Sequence, residues 1–305
     1  MNNLSDLNCE LACITDECRK YIKCGKVADY IPELAKVDIN KLGIYIISKD
    51  NEYFSGDYDA LFTIQSIIKP LILLLALKDS GAERVRSLVG VEATGKPFDT
   101  FNYTDLALKN EHINPMINAG AIALCTLIKG STFREKTNRI LEFTRKLAKN
   151  DLIEIDSAVY LSEKVTGNKN RALAYMLNAY KMINENVEEL LDCYFSACSI
   201  KVNCKDLANI AFALAHCVPD EIINEDDARF VNAILSTCGM YDGSGEFALN
   251  VGVPAKSGVG GGIMAVVPYR MGIGVFSPSL DEKGNSVAGK KILEALSKKM
   301  QLSVF

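Results

Sequence analysis

An α+β fold, with one antiparallel sheet built from both chain ends and an all-helical lobe inserted between them, follows from three features of this 305-residue sequence. First, LGIYIIS (42–48), the KDN that follows and then EYFSGD read as a strand, a turn and a second strand. Second, Gly262–Val267 and Met271–Phe276 are β-rich runs around Pro268-Tyr269-Arg270, a hairpin pattern. Third, apolar residues recur at helical spacing from Ser66 to about Leu235. Strands at the two ends with helices between favour pairing of the ends into one sheet.

The elements can be taken in chain order. The first stretch, to about Ala35, reads as helical. LILLLAL (71–77) is apolar on every side, which predicts a central buried helix; Pro70 restricts where it begins and Gly81 is expected to end it. Segments 119–129, 134–148, 158–165, 172–185 and 205–215 show helical spacing with Gly, Asn or Asp at the breaks. Residues 289–300 form a closing amphipathic helix. There is no internal repeat, low-complexity segment or long linker. The expectation is a single domain, 1–305, with an α/β lobe of about 25–65 and 240–305 and a helical lobe of about 66–239.

Composition narrows the function classes. Of the residues, 49% are hydrophobic and 24% charged, and the formal net charge is −4. No basic tract suggests a nucleic-acid partner. No apolar run approaches the ~20 residues that span a bilayer. MNNLSDLNCELACITDEC lacks a basic n-region before an apolar core, so a cytoplasmic location is expected. In that compartment the ten cysteines read as small buried apolar residues or free thiols. The local group Cys9, Cys13, Cys18 and Cys24 has no C-x-x-C pair and no nearby histidine, a poor match to a zinc site. Only two histidines occur: His112, read as a loop residue, and His216, read as a core or capping residue near a helix end. A Ser-His-Asp machine or a multi-histidine metal site is hard to build from them.

Chemistry therefore falls to other residue types. Ser66 and Lys69 lie three apart at a helix entrance, so the amine can reach the serine oxygen. Backbone N–H groups at such an entrance favour developing negative charge. A desolvated lysine can act as the base for serine; the bland alternative is a serine cap beside a snorkelling lysine. Lys256-Ser257-Gly258 is the partner that S-x-x-K takes in penicillin-recognising enzymes, and a second lysine would lower the proton affinity of the first. The glycines after it allow close backbone approach, with the Val259 N–H able to face an oxyanion; alternatively they mark a bulge at a sheet edge. Tyr241, in the Gly/Asp/Ser-rich CGMYDGSGEF loop, could relay a proton or be an ordinary half-buried aromatic. Asn118 follows the Asn114-Pro115 turn and could bind a ligand or cap a helix. Glu163 and Asn170 flank a Thr-Gly-Asn break, with Tyr194 further on. A zwitterionic amino acid needs a carboxylate for its ammonium and neutral donors for its carboxylate, which this set supplies. The alternative for Glu163 is a solvated helix face.

Taken in order, QSIIKP, INPMINAGAIA, SEKVTGNKNRA, YFSACSIKVNC, CGMYDGSGEFA and PAKSGVGGGI closely resemble the serine-dependent glutaminase family. YIPELA (30–35) and LDEKGNSVAGKKILEAL (280–296) extend the likeness to roughly 25–300. The resemblance implies a β-lactamase-like fold and hydrolysis of L-glutamine to L-glutamate and ammonia without a metal or organic cofactor. It implies Ser66 as nucleophile, Lys69 as general base, Tyr241 as proton relay, and the N–H groups of Ser66 and Val259 as an oxyanion hole. Tyr30, Asn118, Glu163, Asn170 and Tyr194 match glutamine-binding positions, and Lys256 supports the site. A homo-oligomer, dimer or tetramer, is the expected assembly. Two places depart from the family pattern: Lys169 stands where arginine is usual, and Ser196-Ala197 where bulkier or amide side chains are common. Two rivals remain, a penicillin-binding protein or β-lactamase, and a non-catalytic amino-acid-binding protein.

Overall fold

The structure, a computed structural model, describes residues 4–94, 113–218 and 222–305. Five strands form the main sheet: β1 (Gly43–Ser48), β2 (Glu52–Gly56), β5 (Ala255–Ser257), β6 (Gly262–Val267) and β7 (Met271–Phe276). Their order is β2-β1-β7-β6-β5 and every neighbouring pair is antiparallel. Both expected hairpins are present, and the seam joining the chain ends is β1 against β7, with Tyr45 opposite Gly274. This is the α+β arrangement expected from the pattern. A smaller sheet, which the pattern did not reveal, pairs β3 (Phe62–Thr63) with β4 (Lys201–Val202).

Strand alternation divides the core in two. Tyr45, Ile47, Met264, Val266 and Phe276 face the larger, helix-rich cluster. Ile44, Ile46, Ile263, Ala265, Ile273 and Val275 face the opposite side. There they pack with Leu11 of α1 (Leu4–Cys18) and Ile292, Leu293 and Leu296 of α11 (Val287–Met300). A side chain at Gly272 would lie 2.2 Å from Ala208 O, and one at Gly274 2.1 Å from Cys204 O. Those two strand glycines let α8 (Cys204–His216) lie directly on β7.

The helical region holds α2 (Lys69–Leu88), α3 (Asn118–Cys125), α4 (Phe133–Ala148), α5 (Ser157–Thr166), α6 (Asn168–Ala179), α7 (Val187–Cys198), α8 and α9 (Glu225–Cys238), with α10 (Ser244–Asn250) following. Leu71 to Leu77 are all buried, as an apolar run on every side requires. Gly81 adopts φ 80° and kinks α2 instead of ending it; helix continues to Leu88. The N-terminal segment is α-helical only to Cys18 and continues as a 3-10 turn to Cys24. CGMYDGSGEF is not a loop throughout, because Ser244 opens α10 directly after a turn at Tyr241–Gly243. Of the histidines, His216 ends α8 with its ring 4.4 Å from that of Phe212, while His112 lies outside the described residues. Among the described residues no helix is long and apolar enough to cross a membrane.

Candidate active site

Ser66 sits in a 3-10 turn, Gln65–Ile68, which passes straight into α2 at Lys69 with Pro70 in the first helical turn. Proline is tolerated there because the first N–H groups of a helix have no intrahelical partner. Gln65 holds φ 48°, a left-handed conformation costly for a non-glycine residue and a recurrent feature of functional turns. The glycine-rich run lies against this turn. A side chain at Gly258 would come within 2.8 Å of Ile64 O, and one at Gly260 within 2.5 Å of Thr63 O. Close approach, with β5 at the sheet edge, accounts for these glycines and brings Val259 beside Ser66.

Lys69 is fully buried, and its Nζ donates to Met116 O at 3.0 Å and Asn118 Oδ1 at 2.7 Å. Both acceptors are uncharged, so neither fixes a proton on the amine through an ion pair. The Asn114-Pro115 turn places them: Asn114 Oδ1 accepts from the Met116 N–H at 2.9 Å. A side chain at Gly120 would lie 2.1 Å from Asn114 O, so only glycine lets α3 approach that turn. Asn118 is not the cap of α3; Ile117 holds that position, which frees the amide for the site. Asn118 Nδ2 donates to Asn170 Oδ1 at 2.8 Å, and the Tyr194 hydroxyl donates to Asn118 Oδ1 at 3.4 Å.

A cavity of about 330 Å³ opens over Ser66, walled by Tyr30, Asn118, Glu163, Asn170, Tyr194 and Val259. That volume lies within the usual range for small-ligand sites. Tyr30 stands at its mouth, 54% exposed. Glu163 is not on a solvated face: only 6% of it is exposed, and its Oε2 has no hydrogen-bond partner among the described residues. Burial pushes its carboxyl up to about 8, opposed by a hydrogen bond from Gln65 and the charge of Lys69. The glycine of the Thr-Gly-Asn break is tightly packed; a side chain at Gly167 would lie 2.6 Å from Phe195 Cζ and 2.7 Å from Glu163 O. That packing sets the angle between α5, which carries Glu163, and α6, which carries Asn170.

Tyr241 and Lys256 stand behind the serine. Lys256 is fully buried, donates to Ser257 O at 2.7 Å, and lies 4.2 Å from the centre of the Tyr241 ring. Burial and the charge of Lys69 hold its amine well below the ordinary lysine range. Burial pushes the Tyr241 hydroxyl well above its usual range, while the adjoining Ser66 side chain pulls it back. Tyr241 is also left-handed, at φ 56°. Among the cavity residues that sequence reasoning did not single out are Gln65 and Cys198. Gln65 lay within the quoted QSIIKP, but its backbone twist leaves no sequence signal; Cys198 looked like one more buried thiol. Of the two departures, Lys169 lines the cavity, whereas Ser196 and Ala197 are buried in α7.

Comparison with known proteins agrees with this geometry. The Glutaminase family profile matches residues 25–305. The chain is 53% identical to the glutaminase of Clostridium tetani (strain Massachusetts / E88) over 298 residues, covering 96% of this chain and 97% of that one. It is 52% identical to the glutaminase of Clostridioides difficile (strain 630) over 293 residues, 94% and 95% of the two chains. Among solved structures, a probable glutaminase from Bacillus subtilis complexed with 6-diazo-5-oxo-L-norleucine superimposes with TM-score 0.89 at 34% identity, covering 100% of this chain and 98% of that one. Mglu in its glutamate form superimposes with TM-score 0.93 at 35% identity, covering 99% of this chain and 70% of that one. With a β-lactamase-like fold and this sequence agreement, the chain belongs to the glutaminase family of amidohydrolases.

Proposed function

We propose that this protein hydrolyses the side-chain amide of L-glutamine through a γ-glutamyl ester on Ser66. The observation that carries the reading is the buried Lys69 amine, held by Asn118 and Met116 one turn from Ser66 on the wall of a cavity that also contains Glu163. Glu163 takes the substrate ammonium, and the polar side chains of Tyr30, Asn118, Asn170 and Tyr194 hold its remaining polar groups. Lys69 removes the Ser66 proton as the Oγ attacks the amide carbon. The N–H groups of Ser66 and Val259 receive the oxyanion. As the C–N bond breaks, Lys69 or Tyr241 protonates the departing nitrogen and ammonia leaves. Water then attacks the ester, giving its proton back through the same groups, and glutamate departs with Ser66 restored. Lys256 sets the electrostatics behind Tyr241 and Lys69.

The reading extends to a single catalytic domain in a cytoplasmic homo-oligomer that needs no metal or cofactor. A coupled glutamate and ammonia assay, run with glutamine and asparagine side by side, tests it. One methylene of reach separates these substrates, worth about 1–3 kcal/mol. Ser66→Ala should stay folded and release no ammonia; full activity would remove the nucleophile. Hydrolysis of a chromogenic β-lactam would favour the first rival, and stoichiometric glutamine binding without turnover the second.

A further inference from the structure

The turn that carries Tyr241 is tied down by two buried polar side chains, Ser244 and Asn285. Ser244 opens α10, and its hydroxyl works in both directions. It donates to Tyr241 O at 2.8 Å and accepts from the Met240 N–H at 3.1 Å. The backbone torsions of Met240 and Tyr241 all lie between those two contacts, so one side chain closes a ring around them. Asn285 Nδ2 donates to Met240 O at 3.2 Å, and the Gly243 N–H reaches the same oxygen at 3.1 Å. Together they fix the peptide plane that leads into Tyr241. Asn285 is itself held by the turn after β7: its N–H donates to Asp281 Oδ1 at 2.9 Å, and the Asp281 N–H donates to Asn285 O at 2.8 Å. Lys290 of α11 pairs with Asp281 and anchors that turn to the helix.

We propose that Ser244 and Asn285 are positioning residues for the reaction, locking the left-handed backbone of Tyr241 so that its hydroxyl stays in place for proton transfer. This rests on the reading of Tyr241 as the proton relay. An aromatic residue at φ 56° is strained, and such a conformation persists only where its surroundings over-determine it. The ring alone does not achieve that. It lies 4.2 Å from Lys256 Nζ and packs with Ile31 and Val259, contacts that a relaxed backbone could still make with the hydroxyl displaced. Val259 also walls the substrate cavity, so the place of the Tyr241 ring is set relative to the reacting serine. Ser244 and Asn285 supply what the ring lacks, a fixed direction for the Cα–Cβ bond. They come from different parts of the chain, α10 and the turn before α11, so the relay is held by both.

The test is the coupled ammonia assay on full-length Tyr241→Phe, Ser244→Ala and the double variant, with thermal unfolding of each. Ser244→Ala is expected to lower kcat about tenfold or more, as small displacements of catalytic groups do, while KM for glutamine stays within about twofold. In the Tyr241→Phe background it should cost nothing further, because the hydroxyl it positions is already gone. A role in stability alone would lower the unfolding temperature and leave that split and that non-additivity absent. Asn285→Ser, which removes the contact to Met240 O, should show the same pattern. Full activity of Tyr241→Phe removes the relay reading and this inference with it. A slow Tyr241→Phe beside an unimpaired Ser244→Ala, or losses that multiply in the double variant, overturns the positioning role alone. Failure of both Ser244→Ala and Asn285→Ser to fold assigns the pair to stability and likewise overturns it.

Discussion

If Glu163 pairs with the substrate ammonium as proposed, its burial makes glutamine binding a proton-linked event. With its carboxyl pushed up to about 8 by burial, about one-hundredth of the protein carries the anion at pH 6 and about one-tenth at pH 7. An ammonium ligand pairs with the anion, so it must displace that proton. Dissociation constants for glutamine should therefore fall about ninefold from pH 6 to pH 7, with about 0.9 proton released per glutamine bound at pH 7. The measurement is isothermal titration calorimetry of Ser66→Ala, which binds without turnover, in buffers of different ionisation enthalpy. Adding Glu163→Gln should abolish the proton release and weaken binding at least 30-fold, since losing one partner of a buried charge pair costs about 2 kcal/mol or more. A Kd that is flat from pH 6 to 7, with no buffer-dependent heat, would refute the pairing of Glu163 with the substrate ammonium.

The same carboxyl acts on stability. Its folded value of about 8 lies above the ordinary 4.5, so its contribution is complete below 4.5 and is lost as pH rises through about 8. Glu163→Gln should therefore gain in melting temperature relative to the parent between pH 5 and 9, measured by differential scanning fluorimetry. Asn118→Asp places a carboxylate where Lys69 Nζ now donates at 2.7 Å. The ion pair would keep the amine protonated, so kcat should fall about 100-fold or more in the ammonia assay while the protein stays folded. Gly167→Ala drives a methyl into Phe195 and Glu163 O. It should lose about 1–3 kcal/mol in denaturant unfolding and raise KM by displacing Glu163.

What was legible in the sequence was whatever a local pattern encodes. Short β-rich apolar runs at 43–48 and on either side of Pro268 marked the strands, because each strand has two apolar faces meeting different cores. LILLLAL marked the central helix because burial on all sides leaves no polar stripe. Pro70 placed the helix entrance, and with it Ser66 and Lys69, because proline fits only the first turn. Features decided by tertiary contact were not legible. Gly81 carries the usual signal of a helix end, yet the chain regains helix beyond the kink. Asn118 has strong cap propensity, but packing of Gly120 on the Asn114 turn moves the cap to Ile117 and turns the amide toward Lys69. Gln65 and Cys198 reach the cavity through backbone twist and helix rotation, which composition and spacing do not record.

The central claim is that the Ser66 Oγ is the nucleophile. Incubation with 6-diazo-5-oxo-L-norleucine, followed by digestion and peptide mass mapping, tests it most directly. The account predicts one covalent adduct on the peptide containing Ser66, blocked by excess glutamate and absent in Ser66→Ala. An adduct of the same stoichiometry on any other residue, or one that persists in Ser66→Ala, would contradict it.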